Sequence, residues 1–151
     1  NKKTIKMSKD LFTPEQKNKI VTAIKEAEKN TSGEIRVHID KNCKEDVLDR
    51  AAFLFEKLEM HQTELRNGVL IYLAVEDRKL AILGDVGINL EVPKGFWDEI
   101  KNNMVENFKN GEFVKGLAEG IIMAGEQLEQ HFPYQKNDDK NELNDAISFG
   151  E

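Results

Sequence analysis

The sequence predicts an α/β layered sandwich, a small mixed β-sheet flanked by about four helices. Three observations predict it. Val69 to Val75 is a nearly unbroken aliphatic run between Asn67-Gly68 and Glu76-Asp77-Arg78, the pattern of a strand covered on both faces. A second apolar stretch, Leu80 to Leu83, follows that polar turn and stops at Gly84-Asp85-Val86-Gly87, so the two strands read as a hairpin. Four stretches with apolar residues at helical spacing lie on either side of the hairpin in the chain, and they supply the covering layers.

Taken in order, Thr13-Pro14-Glu15-Gln16 holds an N-cap candidate, a proline at the first helical position and a glutamine three residues after the cap, the parts of a capping box. A helix starts here, with Ile20, Val21, Ile24 and Ala27 on one face, and ends at Asn30-Thr31-Ser32-Gly33. Glu34 to Asp40 alternates polar with aliphatic residues, which predicts a strand with Ile35, Val37 and Ile39 inward and the other face open. Asp46 is placed to cap a second helix running to about Met60, with Val47, Leu48, Ala51, Phe55 and Leu58 on its apolar face, widened by Phe53 and Leu54. After the hairpin, Pro93 is expected to start a third helix that stops at Asn110-Gly111. A fourth runs from about Phe113 to Gln130, and Gly116, Gly120 and Gly125 within it are expected to serve close packing. The crossover from strand 34–40 through helix 46–60 to strand 68–75 makes those strands parallel. The third strand returns antiparallel.

With 151 residues and 39% apolar content, the chain suits one domain with one core. Residues 1–10 contain no apolar signal segment and are expected to be a disordered terminus or expression remnant, Met7-Ser8 being the expected native start. Residues 11–133 form the domain and residues 134–151 a flexible acidic tail, in which Ile147 and Phe149 suffice for a short docking segment. The net charge of −6 and pI near 5.2 argue against nucleic acid and favour cations or basic partners. No apolar run approaches the roughly 20 residues of a membrane span. The single cysteine, Cys43, cannot form an internal disulfide, and a cytoplasmic, monomeric protein is expected.

Familiar catalytic motifs are missing. Cys43 and Arg50 are separated by six residues, one too many for a phosphate-cradling Cys-x5-Arg loop, and acids fill the interval, where a thiolate would not be stabilised. His38, His61 and His131 sit on three different elements without metal-ligand spacing. No glycine-rich phosphate loop, dinucleotide fingerprint or nucleophile elbow occurs. What remains is an acidic constellation of Glu34, Asp40, Asp77, Asp85 and Asp98. Gathered with Asn67 at one sheet end, two or three of these would make an oxygen-rich site for calcium or magnesium. Apart, they are solvated turn and capping residues.

Five ordered motifs carry a family resemblance. Thr31-Ser32-Gly33-Glu34-Ile35-Arg36-Val37, Arg66-Asn67-Gly68-Val69-Leu70-Ile71, Asp77-Arg78, Gly84-Asp85-Val86-Gly87-Ile88-Asn89 and Asn110-Gly111-Glu112-Phe113 together resemble the TPM domain, over roughly Leu11 to His131. The resemblance implies a compact α/β sandwich of Rossmann-like appearance. The family includes a thylakoid-lumen protein credited with acid phosphatase activity, a nematode receptor-associated protein and many bacterial proteins of unknown role, and calcium near an acidic cluster is associated with members. By position it implies a site at Asn67, Asp77, Arg78 and Asp85 with Glu34 close by. The signal peptide, transmembrane helix and glycine-rich tail of many relatives are not visible in this sequence.

The first expectation is an accessory protein that binds a protein partner. A calcium or magnesium ion would be held by Glu34, Asn67, Asp77 and Asp85, Arg66 and Arg78 would contact phosphate or partner, and no organic cofactor is needed. The alternative is a metal-assisted acid phosphatase, with the cation on Asp77, Asp85 and Asn67 polarising the phosphoryl oxygen and Arg78 neutralising charge. A third reading is an interaction module without metal.

Overall fold

In the computed structural model, which describes residues 11–134, 143 and 145–150, the chain opens with helix α1 (Pro14–Glu28). Its capping box is complete. The Thr13 hydroxyl accepts from the Gln16 N–H at 3.1 Å, and the Gln16 side chain accepts from the Thr13 N–H at 2.8 Å, satisfying two of the donors a helix start leaves open. There follow strand β1 (Glu34–Asp40), helix α2 (Val47–Lys57), strands β2 (Gly68–Ala74) and β3 (Lys79–Gly84), helices α3 (Val86–Asn89), α4 (Asp98–Lys109) and α5 (Phe113–His131), and the two-residue strand β4 (Ser148–Phe149). What was expected of residues 1–10, 135–142, 144 and 151 lies outside the described residues.

The sheet is mixed, in the order β3-β2-β1-β4. β1 and β2 are parallel, from Glu34 opposite Gly68 to Asp40 opposite Ala74, and β3 returns antiparallel along β2, as the sequence predicts. β4 lies parallel on the other edge of β1, His38 opposite Ser148 and Ile39 opposite Phe149. Every residue of β2 is buried because alternate side chains enter two cores. Val69, Ile71 and Leu73 join Ile35, Val37 and Ile39 beneath α1, α4 and α5. Leu70, Tyr72 and Ala74 meet Ala51 and Leu54 of α2, with Met60 and Leu143.

Four details depart from expectation. The polar side of β1 is not open, since Glu34, His38 and Asp40 are all buried. The second helix ends at Lys57 rather than Met60, because Glu59 takes a left-handed conformation (φ 56°) that turns Met60 into the core. Its buried stripe is Ala51 and Leu54, while Leu48 and Phe53 are exposed. Pro93 does not start the third helix: Gly95 adopts a φ of 81°, a value closed to helix, so the chain turns through 93–97 and α4 begins at Asp98. The Gly84–Gly87 turn is itself partly helical, with Asp85 capping the single turn α3.

The glycines of α5 do serve helix packing. A Cβ at Gly120 would lie 2.5 Å from Met104 Sδ of α4, and one at Gly125 would lie 2.7 Å from the Ala27 carbonyl oxygen of α1. The Ala27 backbone cannot yield at that distance and the buried Met104 side chain would have to move, so α5 packs closely on α1 and α4.

Candidate functional site

Polar side chains gather at both ends of the two parallel strands, and the ends differ. At the carboxyl end, Asp40 is buried and surrounded by donors. The Tyr72 hydroxyl donates at 2.6 Å, Arg50 donates from Nε at 3.0 Å and Nη2 at 3.4 Å, and His38 Nε2 lies 3.0 Å away. The other ring nitrogen of His38, Nδ1, is 2.9 Å from Ser148 Oγ. The tautomer that satisfies both partners has Nε2–H donating to Asp40 and Nδ1 accepting from the serine hydroxyl. Burial alone would raise the Asp40 pKa, but the hydrogen bonds from His38, Arg50 and Tyr72 outweigh it and hold the carboxylate well below the ordinary range. Burial and the Asp40 hydrogen bond push the Tyr72 phenol far upward, so it stays a donor. This network is closed and satisfied.

At the amino end the balance reverses. Glu28, at the end of α1, accepts from the Ile35 N–H at 2.7 Å. Burial, with a hydrogen bond to Asp145 and the charge of Glu34 adding to it, pushes Glu28 up to about 9, so it is protonated at neutral pH. Glu34 is buried and accepts weakly from the Leu143 N–H at 3.4 Å. Asn67, only 1% exposed, places Nδ2 3.4 Å from Ser32 Oγ, and its buried Oδ1 has no hydrogen-bond partner among the described residues. Asp145 Oδ1 is likewise unmatched. Two buried acceptor oxygens at this end, on Asn67 and Asp145, have no hydrogen-bond partner among the described residues, which is costly to the fold.

The strands separate the residues that the sequence grouped. Glu34, Asn67, Arg66 and Asp85 share the amino end, where the Asp85 N–H donates to the Gly68 carbonyl. Asp77 and Arg78 lie in the β2–β3 turn at the opposite end, about 20 Å away along a seven-residue strand. The expected single set of Asn67, Asp77, Asp85 and Arg78 is therefore divided, because a hairpin turn and the start of its first strand cannot meet. Asp77 instead accepts from the Cys43 N–H at 2.7 Å, while Lys79 donates to the Cys43 carbonyl. Asp85 is engaged by Arg66 at 2.7 and 2.9 Å and by the Val86 N–H at 2.7 Å, and Arg66 reaches it from a left-handed backbone (φ 52°). Asp98 pairs loosely with Lys101 on α4. Among the described residues, no three carboxylate, imidazole or thiol groups are gathered as a metal-ligand set.

Sequence reasoning missed His38, Tyr72, Arg50, Ser148, Glu28 and Asp145. One signal was available for β1: its polar residues Glu34, Arg36, His38 and Asp40 all fall on one side, and a second helix layer must cover that side if β2 is buried on both faces.

Comparison with known proteins gives a consistent result. The sequence model of the TPM domain matches residues 5–127. The solution structure of the BA42 protein from the psychrophilic bacterium Bizionia argentinensis shares 50% identity over 93% of this chain and 96% of that one, with a TM-score of 0.87. An N-terminal domain from P. gingivalis is similar at 19% identity, covering 81% of this chain and 79% of the other with a TM-score of 0.66, a likeness of fold. No curated protein matches the sequence significantly.

Proposed function

The chain belongs to the TPM domain family, and from that premise we propose that it is an accessory binding protein whose divalent-cation site lies at the amino end of β1 and β2. One observation carries the reading: Asn67, whose carbonyl accepts from the Glu34 N–H, has a buried amide oxygen with no hydrogen-bond partner among the described residues, at the end of the sheet where Glu28, Glu34 and Asp145 interact closely enough to keep Glu28 protonated. Glu34 and Asn67 are the proposed protein ligands, and since no three carboxylates of the described residues form a ligand set, water would supply the remaining oxygens that calcium or magnesium takes. The charge of the ion would favour loss of the Glu28 proton, and its binding would fix the segments that bear Glu34 and Asn67. Asp85, held by Arg66, buttresses the corner and is not a ligand in this arrangement.

The phosphatase alternative draws no support from a shared site, since Asp77 and Arg78 stand at the far end of the hairpin from Asn67 and Asp85. A protein partner remains the proposed target of the ordered surface. No helix among the described residues is long and apolar enough to cross a membrane.

The test is a titration of calcium, then magnesium, into isotopically labelled protein, followed by backbone amide shifts. Saturable shifts at Ser32, Glu34, Ile35 and Asn67, lost in Asn67→Ala, are the expected result. Diffuse or absent shifts would leave an interaction module without metal.

A further inference from the structure

Ser148 is the outermost member of the carboxyl-end network. It stands on β4, an edge strand of the sheet, and is only partly buried, whereas His38 and Asp40 behind it are buried. Its Oγ lies 2.9 Å from His38 Nδ1, and His38 Nε2 lies 3.0 Å from Asp40 Oδ1. Asp40 is an ionised acceptor, so the proton of that second contact belongs to Nε2. Nδ1 of the neutral ring is then bare and faces the serine hydroxyl. A hydroxyl, an accepting imidazole nitrogen and a buried carboxylate in line are the parts of an activated nucleophile, which geometry and roles define and chain order does not.

The backbone around the serine suits the same chemistry. Gly150 passes so close to the pair behind Ser148 that a Cβ there would collide with Asp40 Oδ1 and stand 3.3 Å from His38 Nε2, so main chain alone lies against that contact. The Gly150 N–H donates to the Ile39 carbonyl. Successive N–H groups of a parallel strand point to alternate edges, so the Phe149 N–H points away from β1, to an edge with which no strand pairs among the described residues. It is the main-chain donor that follows the nucleophile, a position from which a developing oxyanion is met. The hydroxyl of Ser32, by contrast, meets the Phe132 carbonyl and the Asn67 amide, neither of which is a base.

We propose that Ser148 is the nucleophile of an acyl-transfer site at this edge of the sheet, that His38 is its general base, and that the substrate is a carboxylic ester small enough to approach an edge strand. Oγ attacks the carbonyl carbon while its proton passes to Nδ1, and the carbonyl electron pair moves onto oxygen. As that pair returns, the bond to the leaving alkoxide breaks and the alcohol departs with the proton from Nδ1. Water, losing a proton to the same nitrogen, then releases the acid and restores the serine. Asp40 touches neither substrate nor nucleophile. It is a positioning residue that fixes the tautomer of His38, and it keeps its structural role while doing so.

The experiment treats the folded full chain with an alkyl fluorophosphonate, in a chelating buffer so that its outcome is independent of the cation reading. The probe reports the same attack: a bond from Oγ to phosphorus forms, the phosphorus–fluorine bond breaks and fluoride leaves. The serines are Ser8, Ser32 and Ser148, and the first two serve as internal controls. One adduct is expected, mapped by mass spectrometry to Ser148 and formed about a hundredfold faster than on the same serine in the urea-unfolded chain, the scale of general-base assistance. Ser148→Ala abolishes it, and His38→Gln, checked for folding by its amide spectrum, slows it about a hundredfold. With nitrophenyl acetate, the unmutated chain releases nitrophenolate about tenfold faster than Ser148→Ala, in which the Cys43 thiol sets the background. A further measurement on the unmutated chain tests the part given to Asp40: nitrogen–proton correlations of the His38 ring show Nε2 protonated and Nδ1 bare. Labelling of Ser148 no faster than in the unfolded chain, equal labelling of Ser32, undiminished labelling in folded His38→Gln, ester cleavage unchanged in Ser148→Ala, or a proton on Nδ1 would each overturn the proposal.

Discussion

At the carboxyl end of β1, Asp40 accepts from Tyr72, Arg50 and His38. At the amino end, six residues away, Glu28, Glu34 and Asp145 interact closely, and the Asn67 amide oxygen at that end is buried without a hydrogen-bond partner among the described residues. Each end holds a buried acid of the same strand, Asp40 at one and Glu34 at the other, and they differ in what lies against it. A carboxylate with its donors in place is a fastener, and its removal would cost stability. Carboxyls buried against one another hold a proton where a cation could sit, at a standing cost to the fold. The contrast separates a structural cluster from a candidate binding site without appeal to any motif.

The largest effect expected from this contrast is at the fastener. Asp40→Ala leaves Arg50, His38 and Tyr72 facing an unmatched space and should cost about 3–5 kcal/mol, as when one partner of a buried charged pair is removed. Urea denaturation measures it, and a loss under about 1 kcal/mol would mean that the cluster is not structural.

The pH responses of the two ends should have opposite signs. The Asp40 carboxylate is held low in the folded state, so its contribution is present above the ordinary carboxylate range and is lost as pH falls through and below it. Glu28 is raised from 4.5 to about 9, so between those values the folded chain holds a proton that the unfolded chain has released. Stability therefore declines with rising pH across that window, by at most about 1.4 kcal/mol per unit. Glu28→Gln should flatten the decline and be the more stable protein at pH 8. Thermal melts at several pH values decide it, and a parallel pair of curves would remove Glu28 from the account.

The smallest effect is expected at Asp85. Asp85→Ala removes the cap of a single-turn helix and the anchor for Arg66, and should cost about 1 kcal/mol, with calcium-induced shifts at Asn67 retained. Loss of those shifts would make Asp85 a ligand after all and bring the two ends of the comparison closer together.

Much of the fold was legible because its signals are local. The capping box at Thr13, the two-faced burial of β2, the parallel and antiparallel pairings and the glycines of α5 follow from spacing and residue type. The third helix was misplaced because Pro93 is a good first residue, but the conformation of Gly95, two residues later, is invisible in the sequence. The site was harder to read. Asn67, Glu34 and Asp85 are near one another because strand starts and the end of an antiparallel return are adjacent in any such sheet. Asp77 was grouped with them only because it is also acidic and in a turn.

By itself the sequence determined the layered α/β class, the order of its principal elements and its membership of the TPM family, since periodicity, caps and short motifs are properties of neighbouring residues. Tertiary structure alone decided which acids lie among donors and which lie beside other acids. Asp40 and Glu34 are alike as letters on one strand, and their roles diverge because Tyr72, Arg50 and Ser148 arrive from other elements at one end, while Glu28 and Asp145 arrive at the other. Long-range pairing sets that company, and the electrostatics of a buried group depend on its company more than on its type.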